Sequence, residues 1–272
     1  MLFGATSSPF MLNCTVAEIL KSNEFGYDLE VYVDNLFTML TNKEEILPAA
    51  CNLIDIFKNS SMPLHEFASN CPIANAEFEA KSLLTKDSTL KLLGMIWDFN
   101  SDVMYIKEPT FELDKVTKRS LLGDCARIYD PLGFLGPITV RGRRLVQEAW
   151  DSHYSWDQPV PADFVERWTK IVAELKANFK VPIPRWIGFR SFNDLSIHAF
   201  TDASDKAMGV VIYLVGPKNS SFLSSKPKVC PLKMAHFTIP RKELAALALG
   251  VKHLIFVIKS LKKYIKAKSH HI

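Results

Sequence analysis

Three acidic residues lie where the chain could hold a metal ion rigidly. Asp34 stands between two short apolar segments, Asp202 ends the strand-like segment 195–202, and Glu243 begins the last apolar helix. An acid held on a tight turn between two strands makes a rigid ligand for a hard cation. The helix dipole keeps a carboxylate in a first turn ionised. Taken alone, however, Asp34-Asn35 is also an ordinary turn pair.

The residues around Asp34 predict the element that positions it. The segment Glu30–Leu40 is rich in Val, Tyr and Phe, which favours strands, and Asp34-Asn35 is its turn candidate. We therefore predict a hairpin with Asp34-Asn35 at its tip. Alternation predicts that Val31, Val33 and Leu36 are buried while Asp34 is accessible to solvent.

Asp202 and Glu243 can approach each other only if a sheet and a helix pack together. Strands over 195–202 and 209–215 and a helix from Pro240 to about Ile265 would bring Asp202 and Glu243 within reach of one metal ion. The helix is expected to pack through apolar residues at near-helical spacing and to leave apolar surface exposed. These residues are Leu244, Leu247, Val251, Leu254 and Ile258.

Between these segments the pattern predicts helices and one more hairpin. A helix is expected after an N-cap at Thr41, and others over Ser120–Tyr129, Val140–Trp150 and Pro161–Phe179. The segments Leu90–Trp97 and Val103–Lys107 are predicted as the strands of the second hairpin. The two prolines of Pro182-Ile183-Pro184 are typical of a linker.

The net charge of +4 is distributed unevenly. Residues 1–114 carry a net charge of −10, residues 115–144 carry +5 and residues 241–272 carry +7. Basic segments of this kind suit a polyanion, although solvated helix faces give the same pattern. Five residues of the helical segment are candidates for phosphate contacts or for such a solvated face: Lys118, Arg119, Arg141, Arg143 and Arg144.

Composition excludes several classes of protein. With 272 residues, 48% hydrophobic and 23% charged, the chain matches an ordinary globular protein and not a disordered, collagen-like or coiled-coil one. Its five scattered cysteines favour a reducing compartment. No signal peptide is visible, and Leu244–Ile258 is too short and too polar to predict a membrane span. We expect an intracellular protein, cytoplasmic or nuclear, that does not enter a membrane.

Several motifs, in order, resemble those of a polymerase. Tyr32-Val33-Asp34-Asn35 resembles the Tyr-X-Asp-Asp box of reverse transcriptases, and the segment from Leu2 to Phe10 resembles their template-facing segment. Leu92–Trp97 resembles the hairpin that grips the primer end. The run Asp130–Pro137, Asp-Pro-Leu-Gly-Phe-Leu-Gly-Pro, resembles the thumb region of BEL/Pao retrotransposon polyproteins, and Thr201–Ser204 resembles the first catalytic strand of ribonuclease H.

The resemblance implies an α+β fold in three parts. These are a partial reverse-transcriptase palm (1–114), a helical thumb or connection (115–181) and a truncated ribonuclease H-like α/β unit (182–272). It implies magnesium as cofactor, held on both sides of the scissile phosphate by Asp202 and Glu243. The implied partner is an RNA or DNA template–primer or an RNA–DNA hybrid, and the basic thumb residues would contact its phosphates.

The chain also departs from the family pattern. Asn35 stands where the box has its second acid, and the upstream aspartate strand and the later ribonuclease H carboxylates have no counterpart in the sequence. Asp34, Asp202 and Glu243 are therefore predicted to be vestigial, with weak magnesium binding. We predict an inactive fragment of a Pao-type polyprotein. The alternatives are a nucleic-acid-binding remnant with a host role, or an aspartic peptidase, whose Asp-Thr-Gly or Asp-Ser-Gly triplet is absent.

Overall fold

The structure is a computed structural model that describes residues 6–40, 42–189 and 194–268, with side chains described as far as Leu261. Within these ranges the helices are α1 (Ser8–Lys21), α2 (Ile46–Asn59), α3 (Pro72–Ala80), α4 (Lys118–Arg127), α5 (Gly136–Asp151), α6 (Ala162–Asn178) and α7 (Ile239–Lys268). The strands are β1 (Leu29–Tyr32), β2 (Asn35–Thr38), β3 (Thr89–Leu92), β4 (Met95–Asp98), β5 (Val103–Tyr105), β6 (Ile183–Pro184), β7 (Ser196–Ala203), β8 (Ala207–Val215), β9 (Ser220–Ser225) and β10 (Lys228–Val229). The predicted α+β class is confirmed.

The chain forms two compact units. The first comprises Met1–Leu93 and Trp97–Asp102, and the second comprises Gly94–Ile96 and Val103–Ile272. The second unit thus contains both the helices α4–α6 and the sheet of β7–β10 with α7. The three-part division at residues 114 and 181 stays a prediction.

The first unit packs α1, α2 and the first hairpin around one apolar cluster. Its buried members are Val16, Ile19, Leu53 and Phe57, and Val31 and Leu36 of the hairpin pack against them. The helix predicted after Thr41 is confirmed as α2, whose apolar face buries Ala50, Leu53 and Phe57. Thr41, the predicted N-cap, and Leu2–Ala5 of the template-facing segment lie outside the described residues. Helix α3 was not predicted.

The first hairpin turns one residue earlier than predicted. Tyr32 pairs with Asn35, so the turn is Val33-Asp34 and not Asp34-Asn35, and Val33 is 48% exposed instead of buried. Val33 has φ +57°, which is rare for a β-branched residue. The second hairpin is confirmed, because β4 and β5 are neighbours in one sheet. Its first predicted strand, Leu90–Trp97, is shorter than expected, since Leu93 and Gly94 form a further turn between β3 and β4 with φ +50° and +85°.

In the second unit, Trp168 is the centre of the helical part. Its side chain is 0% exposed, contacts Phe111 edge to face, and lies against Gly142 of α5. Helix α4 begins with a capping box in which Thr117 and Ser120 each bind the other's backbone N–H. The predicted linker is wrong: Ile183 and Pro184 pair with β5. Proline is tolerated there because β6 is a short edge strand.

The turn Asp130–Gly136 joins the helices to the sheet. The Asp130 carboxylate accepts the backbone N–H groups of Phe134 and Leu135 at 2.9 and 2.7 Å. Burial nevertheless raises the pKa of Asp130 above its usual range. The Ser225 hydroxyl of β9 donates to the Gly133 carbonyl at 2.6 Å, and the Ser225 N–H donates to the Leu132 carbonyl at 2.7 Å. The proline-glycine run is therefore a structural joint between helices and sheet.

The sheet is antiparallel and carries α7 on one face. Strand β8 pairs with β7, β9 and β10. The buried residues of α7 that face the sheet include Ala246, Gly250 and Val257. The predicted contact stripe is wrong at Leu244, Leu247 and Val251, which are exposed, and correct at Leu254, which packs against the core cluster of Val210 and Ile212. The helix is rotated so that its small residues approach the strands, where a Cβ on Gly250 would overlap Thr201. The predicted exposed apolar surface is found on this outer face.

Among the described residues, one helix is long and apolar enough to cross a membrane by length and composition alone, in the range Ile239–Leu261. It exceeds the 15-residue segment considered from the sequence, because the helix begins earlier and continues past Ile258. A core helix of a soluble protein can pass the same test.

The cysteines give a direct test of the packing. All five thiols are free; Cys14 and Cys51 are exposed, while Cys71 and Cys230 are buried and burial raises the pKa of Cys125 to about 12. We expect Cys14 and Cys51 to react with Ellman's reagent at pH 8 in the native protein, and the other three thiols only after unfolding in guanidinium. Any rapidly reacting thiol in a Cys14→Ser/Cys51→Ser variant would contradict this packing.

Candidate functional site

Asp34 lies on an exposed turn with little around it. Val33, Asp34 and Asn35 are all exposed. The Asn35 side-chain amide donates to Asp34 Oδ1 at 3.3 Å. Asn35, which stands where the Tyr-X-Asp-Asp box has its second aspartate, thus contacts Asp34. An amide beside a single carboxylate gives a weaker set of ligands for a hard cation than two carboxylates.

Asp202 lies near the end of β7, and Glu243 lies in the first turns of α7. Asp202 pairs with Gly209, and its neighbour Ala203 pairs with Met208. Ala203 and Met208 pack against α7, so strand alternation directs Asp202 to the opposite face. Glu243 is exposed on α7. The predicted approach of these two carboxylates to one metal ion stays a prediction.

A third acid, which the sequence analysis did not consider, is bound by a lysine at this end of the sheet. Lys242 of α7 is 1% exposed, and its Nζ donates to Asp205 Oδ1 at 2.9 Å and to the Asp205 carbonyl at 3.3 Å. The hydrogen bond and charge of Lys242 lower the pKa of Asp205. A buried lysine next to Glu243 in an otherwise apolar helix is the signal that could have identified this ion pair.

These donors do not fit a two-ion magnesium site. Among the described residues no group of three or more His, Cys, Asp or Glu side chains is arranged to hold a metal ion. Each magnesium ion needs several oxygen ligands. Asp34 stands beside an amide, and Asp202 and Glu243 supply only two carboxylates. We derive no catalytic step through magnesium.

Four of the five predicted phosphate-binding residues already have partners inside the protein. Arg119 binds Asp157 at 2.7 Å, which raises the pKa of Arg119, while Arg141 pairs with Glu174 and Arg144 with Glu148. Lys118 is buried, with its Nζ 4.7 Å from the ring centre of Trp150 and 5.3 Å from that of Trp156. Arg143 is exposed. Within the described residues it is the one of the five that has no ion pair and no contact with an aromatic ring.

Known proteins share this sequence pattern and this fold. A family model described as the Pao retrotransposon-like RNaseH-like domain matches residues 117–272, more than half of the chain. The chain belongs to this Pao family. The match begins at Thr117, the N-cap of α4, and therefore includes the helices α4–α6 as well as the sheet. No curated protein matches the chain.

Solved structures of foamy viral protease-reverse transcriptase have a similar fold. A complex with dsDNA aligns with a TM-score of 0.56 and 16% identity, over 95% of this chain and 49% of that chain. A complex with an RNA/DNA hybrid aligns with a TM-score of 0.54 and 17% identity, over 95% and 32%. A dRH form with dsDNA gives 0.54 and 16%, over 93% and 40%. This Pao chain thus has the fold of a retroviral reverse transcriptase–ribonuclease H region and spans less than half the length of these relatives.

The Pao chain also has a basic groove that the sequence analysis found only in part. A groove of about 270 Å³ between α5 and α6 is lined by Arg141 and Arg144 on α5 and by Arg167 and Lys170 on α6. Arg167 shares Glu148 with Arg144, and Lys170 binds Glu166 at 2.6 Å. Cations spaced one turn apart on α6 are the signal that could have indicated Arg167 and Lys170.

Proposed function

We propose that this Pao-family chain binds a nucleic-acid duplex, a template–primer or an RNA–DNA hybrid, without extending or cleaving it. The observation that carries the proposal is the fold, which aligns over 93–95% of the chain with structures solved on dsDNA and on an RNA/DNA hybrid. The exposed Arg143 and the basic groove of α5 and α6 support it, because cationic side chains provide most of the affinity for a duplex.

We also propose that the chain has lost the polymerase and ribonuclease H activities. Asp34 has an amide as its neighbour, Asp202 and Glu243 are only two carboxylates, and Lys242 neutralises Asp205. An aspartic peptidase is not favoured, since the sequence has neither an Asp-Thr-Gly nor an Asp-Ser-Gly triplet.

Duplex binding is tested by fluorescence anisotropy with a labelled 20-base-pair RNA–DNA hybrid between 50 and 200 mM salt. We expect binding that weakens steeply with salt, and an Arg143→Gln variant whose slope of log K against log salt is smaller by about one, the value for one lost phosphate contact. Arg241→Gln removes the same charge from the start of α7 and is the control. Equal slopes for the wild type and Arg143→Gln would contradict the proposed contact.

The absence of chemistry is tested with the same hybrid and with a primed RNA template in magnesium. We expect neither cleavage nor primer extension, and none in an Asn35→Asp variant, because one added carboxylate does not supply the remaining ligands of a two-ion site. Extension by Asn35→Asp, or cleavage that Asp202→Asn and Glu243→Gln abolish, would contradict the proposal.

A further inference from the structure

The second unit also contains a cavity that is larger than the basic groove of α5 and α6. Asp34, Asp202 and Glu243 do not line it. Its volume is about 580 Å³. The extended segment 107–112 forms one wall, and Arg127 of α4, Tyr129 and Gly94 form the other. Sites for small organic ligands usually occupy about 300–1,000 Å³. The cavity therefore has room for one nucleotide unit.

A single buried carboxylate fixes both walls. Asp124 is completely buried; its Oδ1 accepts from Arg127 Nη1 at 2.7 Å, and its Oδ2 accepts from the backbone N–H of Glu112 at 3.1 Å. Burying an ionised carboxylate is costly unless it is paired and hydrogen-bonded, and here the two bonds reach opposite walls. The Arg127 side chain is 58% exposed, so the carboxylate orients the guanidinium without enclosing it.

The second wall also contains a close contact between the ring of Tyr129 and the turn at Gly94. Gly94 has φ +85°, and a Cβ at this position would overlap the Tyr129 ring. Only glycine permits this approach. Tyr129 is 51% exposed, which leaves part of its ring available to a ligand. Aromatic rings accept any nucleobase by stacking, typically worth about 1–3 kcal/mol per base.

The charges indicate the ligand. Arg127 and Lys107 provide two positive charges, and Glu108 and Glu112 provide two negative ones. Guanidinium binds phosphate oxygens in a bidentate manner. Because the four charges balance, a phosphodiester with one negative charge fits better than the dianion of a free phosphate monoester.

We infer that this cavity binds one backbone phosphodiester of a nucleic-acid strand, with Arg127 as the main phosphate ligand and the adjacent nucleoside on Tyr129. The inference rests on the proposed function, which it extends from a general basic surface to one site. Asp124 acts through Arg127 and is a positioning residue.

The experiment compares variants in binding the labelled 20-base-pair hybrid and, separately, the free nucleotide dTMP by calorimetry. Arg127→Gln is expected to weaken hybrid binding at least tenfold and to reduce the salt slope by about one, since one phosphate contact is lost. Asp124→Asn keeps an acceptor for the Glu112 N–H but loses the charge that orients Arg127, so we expect a smaller loss, about three- to tenfold. Arg241→Gln is the control of equal charge, and thermal melting confirms that each variant is folded.

The outcomes separate this site from the general function. Unchanged hybrid binding in Arg127→Gln would overturn the site and leave the proposed function intact. Absence of hybrid binding in the wild type, with Arg127-dependent binding of dTMP, would overturn the proposed function and assign the cavity to a free nucleotide instead of a strand. Absence of both would overturn both. Loss in Arg127→Gln and in Asp124→Asn but not in Arg241→Gln supports the inference.

Discussion

Replacing Gly133 by alanine is expected to lower the free energy of unfolding by about 3 kcal/mol, from two additive causes. Gly133 has φ +75°, and an L-residue in this region costs about 1–2 kcal/mol. The new Cβ would also overlap the carbonyl oxygen of Ser225, which belongs to the backbone of β9 and cannot rotate away. Forced repacking of this kind costs about 1–3 kcal/mol. Urea denaturation followed by circular dichroism at 222 nm measures the change.

Gly123 offers a matched control within the same part of the molecule. It lies inside α4, and a Cβ there would meet nothing within 4 Å. Gly123→Ala should therefore raise the free energy of unfolding by about 0.5–1 kcal/mol, the usual gain of helix propensity. A Gly133→Ala variant as stable as Gly123→Ala would show that the turn and β9 do not approach each other as described.

The second large effect is expected at Trp168. Truncation of this fully buried side chain to alanine removes the centre of the α4–α6 packing and should cost about 3–5 kcal/mol. The surroundings cannot close the cavity easily, because Phe111 and Gly142 both contact the indole. The same denaturation experiment measures the loss.

A conservative variant separates packing from hydrogen bonding. Within the described part of the chain the indole Nε1 has no hydrogen-bond partner. Trp168→Phe therefore leaves no acceptor unsatisfied, and we expect a cost of about 1–2 kcal/mol from lost volume alone. Trp186→Ala, at an exposed position, should change stability by less than about 1 kcal/mol. A Trp168→Phe variant as unstable as Trp168→Ala would contradict this account.

The sequence predicted most helices and strands correctly. It did not predict which residues form the first turn or which face of α7 packs on the sheet. The first hairpin was expected one residue too late, because Asp-Asn is the better turn pair by propensity. Packing of Val31 and Leu36 against Val16 and Leu53 decides the register instead, and it forces Val33 into a conformation that valine avoids. Tertiary contacts of this kind cannot be derived from local preference.

The same holds for α7. Its large apolar residues predicted the contact face, yet the face with Ala246 and Gly250 packs on the sheet. Small residues let the helix axis approach the strands closely. A sequence in which large apolar residues also recur at helical spacing does not reveal that the small ones form the contact. The candidate acids were recognised by motif, but the face of the sheet that Asp202 occupies depends on strand alternation, which was known only once Ala203 and Met208 were seen against α7.

The contact between the Asp130–Gly136 turn and β9 also has a consequence for folding during translation. Gly133 and Ser225 are 92 residues apart in the chain. At translation rates of about 5–20 residues per second, the turn leaves the ribosome about 5–18 s before its partner strand exists. During that interval the carbonyl groups of Leu132 and Gly133 are left to water. The helices α4–α6 are therefore synthesised before the strand that accepts their turn, and the arrival of β9 completes this contact.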